Sequence, residues 1–132
     1  MPPSAYAQAA ARYRATQVQA SSPLERVVLL YDGAIRFMDA AKDAIGRRDI
    51  PARRDALSRA HAIVGQLKST LDMAAGGEVA ESLDRLYGFV TARLLDAARL
   101  QDARPIDECL AVFQSLREGW RAIAADARKQ SA

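Results

Sequence analysis

The sequence predicts an all-α fold: an antiparallel up-down-up-down four-helix bundle preceded by a mobile, partly helical N-terminal arm. Three observations predict it. Hydrophobic residues make up 50% of the 132 residues but aromatics only 6%, so the apolar share leans on alanine, the best helix former. Apolar residues recur three and four apart over four stretches, and no period-two alternation of any length competes with them. The stretches are separated by short turns, which favour antiparallel neighbours.

Residues 1–21 form the arm. Met1-Pro2-Pro3-Ser4 opens as coil, and the alanine-rich run from Ala5 to Tyr13 has the makings of a short helix. Its sizeable apolar side chains are Tyr6, Tyr13 and Val18, too few to anchor the segment against its conformational entropy. A weakly docked arm of this kind would cover an apolar strip of the bundle when no partner is bound.

Residues 22–130 form the bundle. Its first helix starts on Ser22 as N-cap, with Pro23 in the first turn and Glu25 three residues after the serine as the second half of a capping box. The stripe then runs Leu24, Val27, Val28, Tyr31, Ala34, Ile35, Met38, Ala41 and Ile45, with Gly46 as the expected C-terminal cap. Leu29, Leu30 and Phe37 add apolar surface outside that stripe. Arg47-Arg48 form the turn and Asp49 caps the second helix, whose stripe is Leu57, Ala60, Ile63 or Val64, Leu67, Leu71 and Ala74, ended by Gly76-Gly77.

Glu78 opens the third helix, where its charge suits the helix dipole. This helix carries Val79, Leu83, Leu86, Tyr87, Val90, Leu94 and Ala97, and the internal Gly88 predicts close packing by a neighbour. Asp102-Ala103-Arg104-Pro105 make the last turn. The fourth helix follows with Ile106, Cys109, Leu110, Phe113, Leu116, Trp120, Ile123 and Ala127.

The same residues exclude most chemistry. A net charge of +3 is too mild for the clustered excess of a nucleic-acid binder. No apolar run approaches the roughly 18 residues that cross a bilayer, and no secretory leader opens the chain, so a cytosolic protein with no membrane insertion is expected. A di-metal bundle needs Glu-x-x-His on two helices; the chain has one histidine, His61, with Ser58 three residues before it. Cys109 lies on an apolar stripe as a small hydrophobe, with nothing to place a base beside it. Arg26, Arg36, Arg59 and Arg99 fall between the stripes, so no inward arginine cluster suggests an enzyme cavity. The basic run Arg47, Arg48, Arg53 and Arg54 at one end of the bundle reads first as a solvated turn, with contact to phosphate or an acidic partner as the alternative. No cofactor and no catalytic activity are expected. Asp32-Gly33 stands out: an acid and a glycine in the middle of the most apolar helix, suited either to a close helix crossing or to a specific structural or binding role.

Taken in order, the motifs resemble the FliS family of flagellar export chaperones. Ser21-Ser22-Pro23-Leu24-Glu25 followed by Leu29-Leu30-Tyr31-Asp32-Gly33-Ala34-Ile35 is similar to its A-S-P and L-Y-D-G-A stretches. Ser69-Thr70-Leu71-Asp72 leads into Gly76-Gly77-Glu78-Val79-Ala80, then Leu86-Tyr87 and Arg93-Leu94-Leu95-Asp96-Ala97, with Trp120 in the last helix and Tyr13 ten residues before Pro23. The resemblance covers nearly the whole chain. It departs at Ser21, where alanine is common, and at Ala74-Ala75.

The resemblance implies a cytosolic chaperone that binds the disordered C-terminal segment of flagellin, prevents premature polymerisation and assists delivery to the flagellar export gate. Other flagellar regulators are further candidate partners. Strips between helices would take the client, with Leu29, Leu30, Phe37, Ile63, Leu67 and Leu71 as the strip candidates. Tyr13, Tyr31, Asp32, Gly33 and Tyr87 match family positions; Tyr13, Tyr31, Asp32 and Tyr87 are further partner-binding candidates, with service in the core as the alternative for Tyr31, Asp32, Gly33 and Tyr87. The alternative is a homodimeric helical structural or adaptor protein that buries the same spare surface against a second copy and has no client.

Overall fold

A computed structural model describes residues 5, 6, 8 and 22–131. Four helices form the bundle: α1 (Pro23–Gly46), α2 (Ile50–Ser69), α3 (Met73–Leu100) and α4 (Arg104–Ser131). Connections of three residues reverse the chain each time, so successive helices run antiparallel. Contacts run α1–α2, α2–α3, α3–α4 and α4–α1, which closes a square. Of the expected arm, Ala5, Tyr6 and Gln8 are helical; Tyr13 and Val18 lie outside the described residues.

Local chemistry sets most of the helix ends. Ser22 Oγ accepts from the Glu25 amide at 3.1 Å. Asp49 Oδ1 accepts from Ala52 N at 3.1 Å, and Pro51 sits where its missing N–H costs nothing. Asp102 Oδ1 accepts from Arg104 N at 2.9 Å. Pro105, expected in the last turn of chain reversal, lies instead in the first turn of α4.

Three boundaries differ from the sequence expectation. The left-handed residue after α1 is Arg48 (φ 57°) rather than Gly46, which stays helical. The second helix stops at Ser69 rather than at the glycine pair, because Asp72 starts a new helical turn by accepting from Ala75 N at 3.0 Å. That turn breaks at Gly77, whose φ of 52° and ψ of −130° are foreign to a helix and readily adopted only by glycine. Gly76 beside it has no room for a side chain, since a Cβ would lie 2.7 Å from the Ala80 methyl.

Alanines let the helices approach. Ala34, Ala41, Ala60 and Ala97 are fully buried beside Met38, Val64, Val90, Leu94 and Ile106. The centre is an aromatic triad drawn from three helices: Tyr31 of α1, Tyr87 of α3 and Phe113 of α4. The Tyr31 and Phe113 rings lie 4.7 Å apart, and those of Tyr87 and Phe113 6.1 Å apart. The two phenols meet at 2.6 Å across the core, which satisfies both polar ends.

Gly88 does not mark a close crossing, contrary to the sequence expectation: a Cβ there would meet nothing within 4 Å. The position therefore loses helix propensity without a packing return. Gly88→Ala should stabilise the bundle by about 0.5–1 kcal/mol, read as an unchanged denaturant slope with a raised midpoint.

Candidate functional site

The bundle closes its own core and still shows large apolar side chains to solvent. Two seams carry several of them. The first runs between α1 and α2. Here Gly33 supplies the close crossing that the Asp32-Gly33 pair suggested: its Cα faces Ile63, whose Cδ1 would lie 3.2 Å from an added Cβ. Leu30, Phe37 and Ile63 are half-buried and pack against the core from the edge. The Arg59 guanidinium lies 5.7 Å above the centre of the Phe37 ring and shields part of it. Leu29, farther round α1, is 49% exposed.

Asp32 faces the other neighbour. Its Oδ1 accepts from Arg117 Nη1 and Arg121 Nη2 of α4, each at 3.1 Å. One carboxylate thus ties α1 to two successive turns of α4. Lys42 of α1 with Asp107 of α4, at 2.6 Å, continues the same edge. The Asp32–Arg117 pair is half-buried and the Lys42–Asp107 pair exposed; an exposed pair sets the lateral register of the helices more than it adds stability.

The second seam lies between α3 and α4. Leu86, Phe89 and Arg93 share a side of α3 by helical spacing. Arg93 Nε donates to Glu108 Oε2 of α4 at 2.6 Å, so that side faces α4. On α4, Glu108, Val112, Leu116 and Ile123 share the matching side. Phe89 is 44% and Ile123 51% exposed, while Leu86, Val112 and Leu116 are half-buried. The result is an apolar strip bordered by the Arg93–Glu108 ion pair.

The expected partner-binding residues fall into three groups. Leu29 is exposed. Leu30, Phe37, Ile63 and Leu71 are half-buried at helix edges, and Asp32 is engaged with the two arginines. Tyr31, Leu67 and Tyr87 are at most 1% exposed and are core residues in this packing, away from any surface a partner would meet. Tyr13 lies outside the described residues. The α3–α4 strip was not singled out from the sequence. Phe89 lies just off the stripe next to Gly88, and that break in the pattern was the available signal.

Residues considered for chemistry are placed apart. His61 is exposed on the outer face of α2. Cys109 is fully buried, with Sγ 3.6 Å from the Val90 carbonyl oxygen. Burial pushes its thiol from 9.0 up to about 12, so the thiolate needed by a nucleophile is absent near neutral pH. Among the described residues, no group of three or more His, Cys, Asp or Glu is placed to hold a metal, and no helix is long and apolar enough to cross a membrane.

Cys109 gives a pH prediction. The folded protein keeps its thiol proton up to about pH 12 while the unfolded chain releases it near 9.0. Between these values the unfolded state binds fewer protons, so stability falls as pH rises. Tyr31 and Tyr87, whose phenols are raised chiefly by burial, act in the same direction at still higher pH. Urea melts at pH 8, 9.5 and 11 should show a declining midpoint. Cys109→Ala should flatten the earliest part of that decline.

The family model described as "Flagellar protein FliS" matches residues 6–127. The flagellar secretion chaperone FliS of Salmonella typhimurium is 34% identical over 127 residues, covering 96% of this chain and 92% of the relative. That of Campylobacter jejuni is 38% identical over 112 residues, 84% of this chain and 87% of the relative. The flagellar secretion chaperone FliSB of Pseudomonas aeruginosa is 34% identical over 108 residues, 82% and 86% respectively. A crystal structure of a bacterial flagellar chaperone superposes with a TM-score of 0.75 at 20% identity, over 90% of this chain and 97% of that one, and so shares the fold.

Proposed function

The chain belongs to the FliS family of flagellar secretion chaperones, not to an enzyme family, and from that premise we propose that it holds the disordered C-terminal segment of flagellin in the cytosol. Bound in this way, the segment is kept from polymerising and the subunit is delivered to the flagellar export gate. One observation carries the reading. A bundle that already buries Tyr31, Tyr87, Phe113, Met38 and Leu94 still leaves Leu29, Phe89 and Ile123 in water. Exposed apolar surface in excess of what the core needs suits a partner chain whose own apolar face is formed on binding.

The physical mode is helix-in-groove. An unstructured client loses conformational entropy as it orders, so it must cover a long surface to bind tightly. Two seams on different sides of the bundle offer that length. Titration calorimetry with a peptide of the flagellin C-terminal segment should give a Kd of about 1 μM or below, near −8 kcal/mol. It should also show a negative heat-capacity change from apolar burial. A peptide that gives no heat at tens of micromolar (on the order of ten times that Kd), while the chain itself sediments as a dimer, would replace this reading with the homodimer.

A further inference from the structure

The turn between α1 and α2 holds a feature that the client reading does not use. A pocket of about 370 Å³ lies there, lined by Ile45, Arg48, Asp49, Ile50, Arg53 and, from the end of α3, Gln101. Arg53 is 7% exposed. Its Nε is buried without a hydrogen-bond partner, as is the Nε of Arg117 on α4, and such a group costs free energy.

The one carboxylate in the lining does not complete it. Asp49 Oδ1 accepts from Ala52 N at 3.1 Å, and Oδ2 lies 3.3 Å from Arg47 Nη1. Arg47 in turn holds Asp43 at 2.8 Å. Neither Arg48 nor Arg53 takes part in the ion pairs found among the described residues. The pocket therefore has two uncompensated guanidiniums, one of them inside it, against one carboxylate already engaged. Arg48 is held at the rim in the left-handed conformation (φ 57°), and Ile45 and Ile50 make the lining partly apolar. The volume is far larger than a single oxyanion and falls in the range of small-molecule sites.

We propose that this pocket binds a carboxylate carried on a small aliphatic body, with Arg53 and Arg48 receiving the carboxylate and Ile45 and Ile50 the body. A planar guanidinium suits a carboxylate because two parallel N–H donors match two oxygens. Either a free aliphatic acid or the C-terminal residue of a polypeptide has this chemistry.

The test uses the full chain and three probes: 4-methylpentanoate, its uncharged amide, and a capped tripeptide ending in leucine with a free carboxylate. Binding is followed by NMR at the arginine Nε–Hε signals and by calorimetry. The acid should bind and shift the Arg53 signal, and the amide should bind at least tenfold more weakly. Tighter binding of the tripeptide than of the free acid identifies a chain end as the ligand, and weaker binding identifies a free acid. Arg53→Gln should weaken the acid tenfold or more. Because a buried substitution can disturb folding, Arg48→Glu at the exposed rim is the second variant, and it should abolish binding in a protein with an unchanged melt. Failure of the acid at millimolar concentration, equal binding of acid and amide, or full binding by a folded Arg48→Glu protein would each overturn the proposal.

Discussion

Phe113→Ala should destabilise the bundle by about 3–5 kcal/mol, an effect comparable with a large part of the stability of a domain this size. Phe113 is fully buried, and its ring is the one that both tyrosines contact, at 4.7 Å and 6.1 Å between centres. Removing it takes away apolar contact and leaves a void bounded by helices whose spacing the buried alanines fix, so collapse is limited. It also frees the Tyr31 and Tyr87 rings to rotate out of the geometry that holds their 2.6 Å hydrogen bond. Thermal unfolding should shift down by roughly 10 °C or more. Tyr87→Phe is the informative companion. It keeps the packing and removes only the phenol partner of Tyr31, so it should cost about 1–3 kcal/mol. A Phe113→Ala loss no greater than that of Tyr87→Phe would show that the triad is not the centre of the core.

The legible parts of this fold are those decided locally. Ser22 and Asp49 are N-caps because a side-chain oxygen reaches an amide three residues on, and that geometry depends on sequence spacing alone. The inward stripes were legible for the same reason, down to Tyr87 and Cys109. The end of α2 was not. The apolar spacing of Leu67, Leu71 and Ala74 runs straight through Thr70 and Asp72, so periodicity continues where the backbone does not, and Asp72 as a cap was the overlooked signal.

Arg53 is hard to read for a different reason. It belongs to a basic run, yet it stands three before Ala56, four before Leu57 and seven before Ala60, on the buried face of α2. Register, not residue type, decides burial there. The exposed seams were legible least. A stripe tells which face of a helix turns inward. Which edge stays uncovered depends on how closely the neighbouring helix is seated, a tertiary property. Hence Leu67, proposed for the strip, is in the core, while Phe89 and Ile123 came into view only with the packing of α3 on α4.

Charge placed in the α3–α4 strip should weaken the proposed client far more than charge placed elsewhere on the same helix. Phe89→Glu and Ile123→Glu each put a carboxylate where the client's apolar face would lie, and a buried unpaired charge is strongly unfavourable. Each should raise the Kd for the flagellin peptide at least tenfold, or about 1.4 kcal/mol, and the double variant should raise it further. Both positions are about half exposed, so the free protein tolerates the charge and its melt should move little. Leu95→Glu is the control. Leu95 is 59% exposed on α3 but lies six residues beyond Phe89, about 120° round the helix from it, on the flank away from α4. It should bind the peptide nearly as well as the unaltered chain. Leu29→Glu probes the α1–α2 seam in the same way. A client that spans both seams predicts losses at Leu29 and Phe89 together, each incomplete alone, because half of the wrapped surface remains. Full binding by both Phe89→Glu and Ile123→Glu would remove the α3–α4 strip from the client site and leave the α1–α2 seam as its remaining candidate.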